Sequence, residues 1–161
     1  MSASAKATIR NIHPRSRIKK QEIAELVKRV SKSEGVSLPV DVIFVDDDFM
    51  KKMNRRFTGR RRTTDVLSFG MKEGKNIGVN YPSLGDIYVS LDQAQKQARE
   101  YGVSRKEETR RLVIHGLLHL LGYDHKSQRQ AEIMKDKEKA YLNWSAGQKL
   151  SSKITKSYET Y

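Results

Sequence analysis

The sequence predicts one α+β domain, close to the α/β class, in which about five helices pack on a single sheet of four strands. Three observations lead there. Short β-branched runs such as Val40-Asp41-Val42-Ile43-Phe44-Val45 have the length and composition of strands. Between such runs, apolar residues recur with the period of amphipathic helices. The 161 residues suffice for one domain and are too few for two ordinary ones, and no internal repeat is visible.

Ala7 to Ile12 reads as the first strand, closed by His13-Pro14. Ser16 is the expected N-cap of the first helix. Its stripe Ile23, Leu26, Val27 and Val30 follows i, i+3, i+4, i+7 and ends near Gly35. Pro39 precedes the Val40–Val45 strand. Asp46-Asp47-Asp48 offers N-caps for a short helix through Met50 and Met53, followed by a basic link from Arg55 to Arg62. Asp65 to Phe69 is the third strand, Gly70 to Leu84 a glycine-rich loop, and Gly85 to Ser90 the fourth strand. A helix covers Gln93 to Tyr101. Ser104-Arg105-Lys106-Glu107 is a capping box, so the next helix starts there, runs to Leu121 and stops at Gly122. The last helix spans about Gln128 to Trp144. Residues 1–144 thus form the domain, and 145–161 read as a basic, polar, mobile tail.

Composition narrows the function. Lys and Arg number 32 against 19 Asp and Glu, a net charge of +13 that suits a polyanionic partner, nucleic acid being the commonest. The absence of cysteine excludes disulfide frameworks, thiolate zinc sites, iron–sulfur clusters and cysteine nucleophiles, and fits a reducing cytosol. Met1-Ser2-Ala3-Ser4-Ala5-Lys6 lacks the apolar stretch of a secretory signal. The longest near-apolar run, Leu112 to Leu121, is about half a membrane span. The expected location is the cytoplasm, with no membrane partner.

Three of the four histidines fall in His115-Gly116-Leu117-Leu118-His119-Leu120-Leu121-Gly122-Tyr123-Asp124-His125. On a helix, His115 and His119 stand one turn apart on one face. Gly122 lets the backbone turn back, so His125 can approach the same point from outside the helix. Three converging imidazoles supply the nitrogen ligands of one tetrahedral zinc per chain and leave a fourth position for water. They suit nickel and copper as well. Ile114, Leu117, Leu118 and Leu121 form a separate stripe that anchors the helix, which frees His115 and His119 to line a cleft. The spacing is also that of metzincin proteases, but the general-base Glu that follows their first His is here Gly116. Peptide hydrolysis in that style is disfavoured. A metal can still generate hydroxide near pH 7, so His115, His119 and His125 are catalytic through the water they help to activate. With the net charge, the natural target is a phosphodiester. A glycine inside a helix costs up to about 1 kcal/mol relative to Ala, which implies a steric reason at 116: backbone forming the cleft floor.

The His115–His125 block resembles the H-G-x-L-H-L-x-G-Y-D-H signature of the YbeY family of bacterial rRNA-maturation endoribonucleases. Thr64-Asp65-Val66-Leu67-Ser68-Phe69 resembles its T-D-V-L-S-F segment, and Leu84-Gly85-Asp86-Ile87 its L-G-D-I. Asn54 and Phe57 occupy the places of its Asn and aromatic residue, and Met134 and Glu138 fit its M-x3-E helix. The likeness covers about residues 40 to 140. It implies a single-domain, metal-dependent RNase with a mixed four-stranded sheet, the zinc at the end of a buried helix, and a basic cleft for single-stranded RNA. It also implies processing of the 3′ end of small-subunit rRNA and ribosome quality control. The implied partners are the small ribosomal subunit and one of its proteins or a ribosome-assembly GTPase. The competing reading is a non-catalytic ribosome- or RNA-binding module whose metal only fixes the helix end.

The sequence departs from the family in its basic link. Thr58 stands where the family has an Arg thought to meet RNA phosphates, Arg60 stands in its Lys position, Arg61 replaces its Asp and Thr63 its Pro. Arg55, Arg56, Arg60, Arg61 and Arg62 nevertheless put five guanidiniums in eight residues, with no Asp or Glu from Met53 to Thr64. Arg56, Arg60, Arg61 and Arg62 are therefore expected RNA contacts, with hydroxyl contacts from Thr64 and Ser68. Asp124 is expected either to orient a histidine behind the metal or to cap its turn. Asp65 and Asp86 read as structural, Tyr123 as packing and His13 as incidental. Lys96, Arg99, Arg105, Lys106, Arg110 and Arg111, mixed with Glu100, Glu107 and Glu108, read as a solvated helix face.

Overall fold

The computed structural model describes residues 6–70 and 83–147. Its elements are β1 (Ala7–Asn11), α1 (Lys20–Ser33), β2 (Val40–Val45), α2 (Asp47–Thr58), β3 (Val66–Gly70), β4 (Gly85–Ser90), α3 (Leu91–Tyr101), α4 (Arg105–Leu120) and α5 (Gln128–Ser145). The four strands form one mixed sheet in the order β1-β2-β4-β3. β1 and β4 each run parallel to β2, while β3 pairs antiparallel with β4, Val66 opposite Val89 and Ser68 opposite Ile87. This is the expected α+β architecture. Among the described residues, no helix is long and apolar enough to cross a membrane.

β2 is buried along most of its length because strands flank it on both sides and helices cover both faces. The larger core lies on one face, where Ile23, Leu26, Val27 and Val30 of α1 meet Val42, Phe44, Ile87 and Val89 of the sheet and Leu117 of α4. α4 is the organising element. It packs on β3 and β4 and also touches α1, α3 and α5. Ser104 caps it, its hydroxyl accepting from the Glu107 N–H at 3.0 Å. Gly116 faces the sheet: a Cβ there would stand 2.7 Å from Ile87 Cγ2, 3.0 Å from Ser68 Oγ and 3.1 Å from Val66 Cγ2. The helix–sheet packing therefore favours glycine at this position, and the expectation that it forms a cleft floor is corrected.

The structure revises several local expectations. Ser16 does not cap α1, which starts at Lys20 with no side-chain cap. Ser16 is engaged instead in a loop built on His13, whose Nδ1 accepts the N–H groups of Arg15 and Ser16 at 3.1 and 3.0 Å. His13 Nε2 lies 2.8 Å from Asp92 Oδ1, so this buried histidine is a structural hub rather than incidental. α2 runs to Thr58, so Arg55 and Arg56 belong to a helix and only Arg60 to Arg62 to the link. α3 begins at Leu91 because Ser90 caps it, and α5 continues through Ser145, one residue past the expected domain end. Most of the expected Gly70–Leu84 loop, residues 71–82, and the tail from 148 onward lie outside the described residues.

Candidate functional site

Glu108, Arg111, His115 and His119 recur at i, i+3, i+7 and i+11 and share one face of α4. Their hydrogen bonds form a chain. Buried Glu108 accepts from Arg111 Nε and Nη2; Arg111 Nη1 donates to Glu138 Oε1 of α5 at 2.9 Å. Glu138 Oε2 lies 2.8 Å from His115 Nδ1. Burial pushes the Glu138 carboxyl up, but the hydrogen bonds from His115 and Arg111 outweigh it and hold the group below its ordinary pKa. Hydrogen bonds to Glu108 and then Glu138, opposed by burial, raise that of Arg111. An ionised carboxylate only accepts, so His115 Nδ1 donates to it and Nε2 points away from α5.

That Nε2 atom meets His119. The two Nε2 atoms are 3.2 Å apart and the rings stand edge to face. Burial, reinforced by the neighbouring His115 and His125 rings, lowers the His119 pKa and keeps the imidazole unprotonated at neutral pH. α4 ends at Leu120 with Leu121 as its C-cap, and Gly122, at φ +99°, turns the chain back. His125 is thereby brought beside His119, with ring centroids 5.3 Å apart. The turn is closed by Asp124, whose Oδ1 accepts the His125 N–H at 2.7 Å. This hydrogen bond lowers the Asp124 pKa despite opposing desolvation.

These donors fit a metal. One ligand atom each from His119, Asp124 and His125 lies within 4.8 Å of the others, a set that could hold an ion. The 3.2 Å separation of the His115 and His119 nitrogens also matches the edge, about 3.3 Å, of a tetrahedron with bonds of about 2.0–2.1 Å to zinc. His115 and His119 open into a cavity of about 540 Å³. Asp65 and the β3 residues Val66, Leu67 and Ser68 line it as well, so the cavity runs along the start of β3.

The comparisons with known proteins bear on this site. A family model described as Endoribonuclease YbeY matches residues 8–145. The chain belongs to the endoribonuclease YbeY family. Endoribonuclease YbeY of Desulforamulus reducens is 42% identical over 127 residues, covering 75% of this chain and 83% of the relative. That of Pelotomaculum thermopropionicum is 41% identical over 124 residues, covering 74% and 82%. The solution structure of TM1509 from Thermotoga maritima superposes with a TM-score of 0.61 at 29% identity, covering 88% of this chain and 89% of that one.

At the site of its departure from the YbeY pattern, Thr58 closes α2. Its hydroxyl contacts the Asn54 carbonyl and Oδ1, each at 2.7 Å, and accepts the Arg60 N–H at 3.3 Å. Buried Asn54 donates to the Arg62 carbonyl at 2.8 Å, and Thr63 Oγ1 to Asp47 at 3.1 Å. The link is thus folded back on α2 with Arg60, Arg61 and Arg62 exposed beside Arg55 and Arg56. None of these arginines lines the histidine cavity. Ser68 does line it, but its hydroxyl donates to the Gly116 carbonyl at 3.0 Å and has no hydrogen left for a phosphate. Thr64 Oγ1 approaches Asp65 at 3.4 Å.

The carboxylate hydrogen-bonded to a site histidine is Glu138, whereas Asp124 Oδ1 stays 3.9 Å from His125 Nδ1 and serves the turn. Arg111 is not part of a solvated face, a correction that its helical spacing from Glu108 and His115 could have supplied. Tyr123 packs as expected and donates to Glu34 Oε1 at 2.6 Å. That carboxylate also holds the buried Lys137 of α5, at 3.0 Å from Oε2. The buried pair ties α1 and α5 to the turn that carries Asp124 and His125.

Proposed function

We propose that this chain is a zinc-dependent endoribonuclease that cuts single-stranded RNA. Its expected work is the maturation of the small-subunit rRNA 3′ end and ribosome quality control in the cytoplasm. The small ribosomal subunit is the partner, with one of its proteins or a ribosome-assembly GTPase. Family membership supports the activity. The observation that carries the metal reading is the pair of His115 and His119 nitrogens, 3.2 Å apart at the mouth of a cavity along β3. His115, His119 and His125 are the proposed ligands, with Asp124 within reach of the same set.

When bound, zinc supplies Lewis acidity toward a phosphodiester and makes water a stronger acid. The chain's own residues prepare for it. Glu138 holds the His115 tautomer that leaves Nε2 free, and Arg111 steadies Glu138. Burial keeps His119 unprotonated at neutral pH. Arg56, Arg60, Arg61 and Arg62 supply a screened, exposed field that concentrates RNA near the cavity. Gly116 argues against a protease. A Glu side chain there would have to displace Ile87 and Val66, so it could not act as the base beside His115.

The test is cleavage of a small-subunit rRNA precursor by the purified protein before and after chelation, with elemental analysis of each sample. Cleavage should vanish on chelation and return with zinc, while RNA affinity and the fold persist. Undiminished cleavage by metal-free protein would overturn the reading. RNA binding without cleavage at full zinc occupancy would favour the non-catalytic module.

A further inference from the structure

β3 has two faces with different company. Val66 and Ser68 face Gly116 of α4, on the histidine side. Leu67 and Phe69 face the other way, toward α2, by the alternation of a strand. On that side the aromatic rings form a row. Phe57 of α2 lies 5.0 Å from Phe69, Phe69 lies 5.9 Å from Tyr88, and Tyr88 stacks with Phe49 at 6.2 Å. The row ends in solvent: Phe57, at the end of a surface helix, is 55% exposed.

The ring also lies within a cationic field. The Arg56 guanidinium lies 5.4 Å from the Phe57 centroid, and Arg55, Arg60, Arg61 and Arg62 are exposed nearby in sequence. Among the described residues, none of the five pairs with a carboxylate. A solvent-exposed phenyl ring bordered by arginines that have no carboxylate partner is the combination that single-stranded nucleic acid uses, bases on the ring and phosphates on the cations. A duplex, with its bases stacked inside, cannot use the ring.

We propose that Phe57, with Arg56 beside it, is a base-stacking platform for the single strand that enters the histidine cavity. The strand reaches it across the edge of β3. β3 is the last strand in the sheet order, and the cavity opens along it from Asp65 to Ser68. The strand then runs from the histidine cavity on one face to a stacked base on the other. The proposal rests on the endoribonuclease reading for its occupant.

Two substitutions separate stacking from packing. Phe57→Leu keeps an apolar contact with Phe69 but removes the flat face, and Phe57→Trp enlarges it. Affinity for a short single-stranded oligoribonucleotide is measured by anisotropy in the His119→Ala background, so that the strand stays intact. Phe57→Leu should weaken it by at least about fivefold, while Phe57→Trp holds or tightens it. Binding of a duplex of the same sequence should not respond to Phe57→Leu. The Phe57→Trp emission should be quenched by the single strand beyond any change in Trp144 alone. Unchanged single-strand affinity in Phe57→Leu, or unquenched emission at saturation, overturns the platform. If those results come while the parent chain cleaves RNA, only the platform falls. If Phe57 behaves as proposed but no zinc-loaded chain cleaves RNA, the endoribonuclease reading falls and the platform stands. A parent chain that binds no single strand overturns both.

Discussion

Two histidines of this protein have the same partner chemistry and opposite uses. His13 and His115 each place one ring nitrogen 2.8 Å from a carboxylate, Asp92 in one case and Glu138 in the other. The difference lies at the second nitrogen. His13 Nδ1 accepts two backbone N–H groups, which forces its proton onto Nε2 and uses every polar atom of the ring. His115 Nε2 instead faces His119 Nε2 at the wall of a cavity. A histidine–carboxylate pair is therefore a structural clamp or leaves a nitrogen at a cavity wall according to what its second nitrogen meets. Residue type alone does not decide it.

The widest separation should come from deleting each ring. His119→Ala should abolish zinc binding and RNA cleavage while the urea midpoint stays near the parent value, because the core stripe of α4 is untouched. His13→Ala should do the reverse, costing about 1–3 kcal/mol of stability for the backbone N–H groups it leaves unpaired. Its zinc content should be unchanged. Loss of zinc from His13→Ala would erase the contrast.

A smaller effect is expected at the carboxylates. Glu138→Gln should weaken zinc about 10–100-fold in a chelator competition, since the amide no longer enforces the His115 tautomer. Asp92→Asn should leave that affinity alone. Equal losses in both would mean that Glu138 acts through the fold and not through His115.

Smaller again is the cost of crowding α4 against the sheet. Gly116→Ala places a methyl within 2.7 Å of Ile87 Cγ2, so strain of about 1–3 kcal/mol is set against a helix-propensity gain of up to about 1 kcal/mol. A net destabilisation of about 1 kcal/mol in urea is expected, and a stabilised variant would show that the helix has room to shift. Gly116→Glu should lose stability before RNA binding comes into question.

The smallest difference is in acid. Burial raises the Asp92 pKa, but hydrogen bonds from His13 and the Asp47 N–H outweigh it and leave the group below its usual value. A depressed folded value contributes stability that is present above the unfolded pKa, about 3.9, and is lost as pH falls through the lower folded one. Asp92→Asn should therefore flatten the acid limb of stability against pH below about pH 4. An unchanged limb would mean that the partly exposed carboxylate is screened by solvent.

Much of the fold was legible because the signals are local. The stripe Ile23, Leu26, Val27 and Val30 is buried as its period requires, and Ser104 caps α4 through the Glu107 N–H. The histidine motif was legible for the same reason, since four residues make one helical turn and a glycine reverses the chain. The α2 helix was underestimated because its arginines looked like a link. It continues because Thr58 and buried Asn54 satisfy the polar groups at its end. For Arg111 the local partner Glu108 is legible in the spacing, while Glu138, 27 residues away on another helix, is not.

The sequence by itself determined the elements, the basic charge and the one-turn spacing of His115 and His119 ahead of a chain-reversing glycine, signals carried by composition and by neighbours within about two helical turns. Only the tertiary structure decided which carboxylate holds His115, why the sheet favours glycine at 116, and that His13 is a clamp. Each depends on groups far apart in the chain, His115 and Glu138 by 23 residues, Gly116 and Ser68 by 48 and His13 and Asp92 by 79. A periodic pattern records which side of an element is buried. It does not record which partner the fold will bring to meet it.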